Sequence, residues 1–137
     1  MIAPLAITGH YILQPGLLEK HKKTLEWLSA SVLWKRELAF FQKLLDQYAP
    51  DFSSLADKQQ LDHFQNLLLY YRTEVVDTLA DTLRQHEKQL AEILSTQDET
   101  KTGYFKEHDL VMAQMESFNT QFQEYKSTLF TFIETAM

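Results

Sequence analysis

A chain of 137 residues, with 45% hydrophobic residues, three glycines, three prolines and no cysteine, can bury one core in long helices; disulfides, thiolate catalysis and sulfur-bound zinc are excluded. The formal charge of −6 argues against broad nucleic-acid or anionic-membrane binding, because both need a basic surface to displace counterions. The expected class is all-α, in a single domain over residues 1–137.

The first sixteen residues, "MIAPLAITGHYILQPG", have neither a basic n-region nor a long apolar h-region, so they do not read as a signal peptide. No stretch approaches the roughly 18 apolar residues needed to span a bilayer, and a cytoplasmic location is the expectation. Ile7, Tyr11, Ile12 and Leu13 are too apolar for a free tail, which predicts that this segment docks on the rest of the chain in extended form.

Residues 17–48 carry a 4,3-spaced stripe of Trp27, Ser31, Trp34, Leu38, Phe41, Leu45 and Tyr48, widened by Leu25, Leu28, Val32 and Leu33, which predicts a first helix. It stops near "YAPDFSS", where Pro50 disfavours helical geometry at Ala49 and Ser53 or Ser54 can cap the next element. A second helix is predicted over 54–96, with the stripe Phe64, Leu68, Tyr71, Val75, Leu79, Thr82, His86, Leu90 and Ile93. Phe64, Val75 and His86 recur at eleven residues, which implies a straighter path than a heptad helix. A break near Tyr71–Val75 would divide it and make four helices of three. After "STQDETKTG", a third helix over 104–136 presents His108, Val111, Met115, Phe118, Phe122, Tyr125, Leu129, Phe132 and Ala136. Short connections make an antiparallel up-down-up bundle the simplest arrangement.

Matching the helices by height, with turns centred at Asp51 and Thr100, groups Trp34 with Leu68 and Phe132, Trp27 with Val75 and Tyr125, and Arg84 with Glu116. On that register the third helix ends early and leaves an aromatic end of Phe40, Phe41, Leu44, Tyr48 and Phe52 with too few partners, a candidate interface for a homodimer or another protein. At the opposite end Leu90, Ile93, Leu94, Phe105 and Leu110 lack a third helix, and the tail is expected to take its place.

His86 and His108 sit on core stripes, but no Glu-x-x-His, His-x-x-x-His or His-Glu-x-x-His set is complete. "HEKQL" has Leu90 where a second histidine belongs, and the register separates His86 from His108 by roughly 9 Å along the axis. His86 therefore reads as core filler with a polar tip, whose replacement by leucine is expected to be neutral or mildly stabilising. Glu37 lies beside the apolar face and reads as ion-paired or reaching solvent. No phosphate loop or nucleophile elbow is present, no cofactor is expected, and the reading leans away from an enzyme. The function expected is a non-enzymatic helical bundle acting by self-association or protein binding through its aromatic end. The alternative is a metal or small-ligand site using His86, Glu87 and His108, with His10 or His21.

Overall fold

The computed structural model describes residues 7–8, 11–12, 15–96 and 103–137. The chain is all-α: α1 spans Pro15–Tyr48, α2 Leu55–Tyr70, α3 Val76–Thr96 and α4 Tyr104–Glu134. Before them, β1 (Ile7–Thr8) and β2 (Tyr11–Ile12) form a two-residue antiparallel ladder, with Ile7 opposite Ile12. The backbone is extended there, as expected of the tail; its docking lies outside the described residues.

α1 opens on Pro15, whose fixed φ and missing N–H suit a first helical position. It ends in a 3₁₀ turn over Ala49–Asp51 that contains Pro50 and closes with the Phe52 N–H on the Ala49 carbonyl at 3.2 Å. Ser54 caps α2, its hydroxyl accepting the Asp57 N–H at 3.1 Å. Gly103 has φ +87°, a conformation that strains other residues, and its carbonyl accepts the Glu107 N–H at the start of α4.

The second predicted helix does not break. Between α2 and α3 the backbone widens into one π turn, Tyr71–Val75, with the Val76 N–H reaching the Tyr71 carbonyl, and helical dihedrals continue on both sides. The Thr73 hydroxyl donates to the Leu69 carbonyl at 2.7 Å and Thr78 to that of Glu74 at 2.9 Å, so threonines serve carbonyls around the wide turn. The extra residue moves the buried row by one position. Val76, Ala80 and Leu83 are buried where Val75, Leu79 and Thr82 were expected, and the row rejoins the predicted one at His86. The eleven-residue recurrence through Val75 is therefore not the packing period.

The chain divides into two compact units, Met1–Ala30 with Leu79–Glu116, and Ser31–Thr78 with Ser117–Met137. In the first, Leu17 of α1 packs with Leu90, Ile93 and Tyr104, so α1 reaches part of the end that was expected to lack a third helix, while Phe105 and Leu110 there are exposed. Arg84 pairs with Asp81 on its own helix at 2.8 Å rather than with Glu116.

In the second unit Trp34 meets Phe118 edge-on at 4.9 Å, Tyr71 meets Phe118, Phe122 and Tyr125, and Phe132 stacks on Phe52 at 4.2 Å. Trp34 and Phe132 thus belong to different layers. α4 reaches the Pro50 turn instead of stopping short of it. Both connections centre away from the positions assumed: Lys35–Asp77 and Gln42–Gln65 place the first beyond Asp51, and Phe64–Tyr125 places the second before Thr100, which carries α4 further along α2. Glu37 is ion-paired as anticipated, with Lys126 at 3.0 Å.

Candidate functional site

The first unit holds a buried polar cluster built by three helical stripes. On α1 the buried row continues back from Trp27 through Thr24, His21 and Leu17 in steps of three, three and four, where strict 4,3 spacing selects Lys20 instead of His21. α3 supplies His86 and Leu90 and α4 supplies Tyr104 and His108. The Thr24 hydroxyl is satisfied by the Lys20 carbonyl at 2.9 Å. His21 Nδ1 donates to the Glu87 carboxylate at 2.8 Å, and the Gln89 amide donates to Glu107.

His86 Nε2 and His108 Nδ1 are 2.9 Å apart, so the two rings expected to be separated along the axis share a hydrogen bond. The height estimate failed because it centred the second connection too late. One ring donates and the other accepts, which requires the accepting ring to stay uncharged. Burial pushes His86 below the usual histidine value against the pull of Glu107, and burial with the facing His86 ring pushes His108 down to about 4. Tyr104 stacks on His86 at 4.4 Å with the planes 6° apart, and burial and then Glu87 push its hydroxyl up. Among the described residues, His86 Nδ1, His21 Nε2 and the Tyr104 hydroxyl have no hydrogen-bond partner.

The candidate trio of His86, Glu87 and His108 is thus divided: the histidines face each other and Glu87 turns to His21. Among the described residues no group of three potential ligands is placed to hold a metal. His10 lies outside those residues. His21 was not legible as a core residue, since 4,3 spacing continued from Trp27 lands on Lys20, and a step of three from Thr24 is what places His21 in the buried row.

Of the aromatic-end residues, Phe41 and Phe52 are buried, Leu44 and Tyr48 are half-buried, and Phe40 is 56% exposed. With Leu33, also 56% exposed, and half-buried Glu37, Phe40 and Leu44 form an i, i+4, i+7, i+11 stripe on α1. Phe130 of α4, 45% exposed, lies edge-on to Phe41 at 5.5 Å, while Phe41 also meets Phe40 at 5.9 Å. The surface left by the expected patch is therefore a ridge shared by α1 and α4, with the Glu37–Lys126 pair set into it.

A separate groove of about 850 Å³ runs along the α2–α4 seam of the same unit. Phe64, Leu67, Tyr71, Tyr125 and Phe132 line it, and Asp57 and Glu124 are among its polar residues. Its position is not legible in the sequence, because its outer residues, such as Thr128 and Thr131, look like ordinary solvated positions.

The sequence matches no protein-family model, and comparison with curated proteins and with solved structures finds no similar protein. The class is accordingly set by the chain itself: an all-α protein with a buried histidine cluster in one unit and an aromatic core in the other. No helix among the described residues is long and apolar enough to cross a membrane.

Proposed function

We propose that this chain is a non-enzymatic interaction protein that associates with a second copy of itself through the Leu33–Phe40–Phe130 ridge. The observation that supports this is the exposure of two phenylalanines on adjoining helices, joined through buried Phe41. Large apolar side chains grouped in this way mark contact surfaces more often than solvated ones. Glu37 and Lys126 neutralise each other inside the ridge, so two copies can meet there without like-charge repulsion. Another protein with a matching apolar face is the variant of this reading in which the second copy is replaced.

The test is the solution mass by size-exclusion chromatography with light scattering over a concentration series, for the wild type and for Phe40→Glu and Phe130→Glu. A wild-type dimer that both changes convert to folded monomers is expected. A wild type that stays monomeric at every concentration, or a dimer indifferent to both changes, removes self-association through the ridge.

A second reading, small-ligand or metal binding at the histidine-bearing end, draws support from the unpaired His86 and His21 nitrogens. A ligand that binds only the native state raises its stability, so a zinc-dependent increase in Tm lost in His86→Leu favours this reading, and an unchanged Tm removes metal binding.

A further inference from the structure

The α2–α4 groove is independent of the ridge, and its shape and charge point to a different occupant. The wall formed by α4 and the turn that ends it runs from Gln121 to Ala136, which at about 1.5 Å per residue is about 22 Å, the length of a helix of some four turns. That is longer than a single compact small molecule and suits a rod laid along two helices.

The floor is apolar and already rigid. Phe64 meets Tyr125 edge-on at 5.7 Å, Tyr71 meets Tyr125 at 5.5 Å, and Phe132 is held between Phe64 and Phe52. The Tyr125 hydroxyl donates to the Phe64 carbonyl at 3.0 Å, which fixes the ring and leaves its donor satisfied. The π turn begins at Tyr71, so the widened backbone adjoins the groove. On the α4 side the hydroxyls of Thr128, Thr131 and Thr135 all donate to carbonyls of their own helix, and they demand no partner from whatever lies against them. Small side chains along this wall allow a close interaxial approach.

Among the described residues, the charged ones lining the groove are Asp51, Asp57 and Glu124, no lysine or arginine lines it, and His63 is the imidazole there. An occupant must therefore be apolar along its centre and basic at its margins. A second copy of this chain, with a net charge of −6, would bring more acid to an acidic rim. We infer that the groove seats an amphipathic α-helix of another protein, about four turns long, with lysine or arginine flanking its apolar face.

The experiment titrates full-length protein into a fluorescein-labelled amphipathic helical peptide of about fifteen leucine and lysine residues and follows fluorescence polarisation. A second peptide replaces every lysine by glutamate and keeps the apolar pattern. Thr128→Trp fills the groove from an exposed position, Glu124→Lys reverses charge at its rim, and Glu92→Lys makes the same charge change on the other unit. Saturable binding of the lysine peptide is expected, weakened at least about tenfold by Thr128→Trp and by Glu124→Lys and little altered by Glu92→Lys. The glutamate peptide should not bind. Circular dichroism confirms that each variant keeps its helices, since both groove positions are exposed. Binding untouched by Thr128→Trp, equal loss in Glu92→Lys and Glu124→Lys, equal binding of both peptides, or no saturable binding of the lysine peptide would each overturn the assignment.

Discussion

At the scale of single residues the most consequential contact is the one between His86 and His108. A buried hydrogen bond contributes modestly while both partners are present, but removing one leaves the other without a partner in a site that water cannot easily reach. The structure thereby revises the neutral outcome expected for leucine at His86. His86→Leu should now lower stability by about 1–3 kcal/mol in chemical denaturation, because it strands His108 Nδ1. The double change His86→Leu with His108→Leu should recover part or all of that loss, since two apolar groups of similar size replace the polar pair. Additive losses in the two single variants and the double variant would show that the rings are not coupled. That both histidines belong to core stripes was legible from their 4,3 spacing. Their contact was not, because pairing across helices depends on connection length, and the seven residues between Thr96 and Tyr104 have no periodicity to read.

At the scale of elements, α1 and α4 were legible almost residue for residue, as their buried rows keep one unbroken spacing from Trp34 to Leu45 and from His108 to Phe132. The row through α2 and α3 was not, and the reason is specific. Val75, Leu79 and Thr82 are nearly as apolar as Val76, Ala80 and Leu83, so hydrophobicity hardly separates the two rows, and no glycine or proline marks the π turn that selects between them. The turn makes a sharp prediction about chain length. Deleting exposed Thr73 converts the wide turn into an ordinary one and leaves Val76, Ala80 and Leu83 on the same face, so Tm should change by only a few degrees. Deleting exposed Asp81 instead rotates the following residues by about 100° and carries Leu83, His86 and Leu90 off the core, which should abolish cooperative unfolding of the first unit. Equal effects of the two deletions would mean that the wide turn does not set the register.

At the scale of the whole molecule, the histidines buried among the described residues, His21, His86 and His108, all fall in one unit, while His63 of the other is exposed. Acid should therefore act unevenly. His86 and His108 bind protons more readily in the unfolded chain, where the ordinary value is 6.5, than in the folded one. The stability contributed by their neutral forms is thus complete above pH 6.5 and is lost as pH falls towards about 4. Lys20 of α1 reinforces the depression, whereas Glu107 and Asp109 of α4 oppose it. Hydrogen exchange at pH 7 and pH 4.5 should show protection in α3 around His86 falling by an amount on the order of 2 kcal/mol, with α2 around Leu68 changing less. Uniform loss, or none, would show that these rings do not govern the response.

The division into units also separates the chain's two tryptophans, with Trp27 in one and Trp34 in the other. Each unit therefore carries its own fluorophore. Replacing either indole by phenylalanine leaves a single indole to excite selectively over the tyrosines, and the melting curves of the two resulting proteins become independent records of the two units. Coincident curves would describe one cooperative structure, while displaced curves would give each unit a transition of its own.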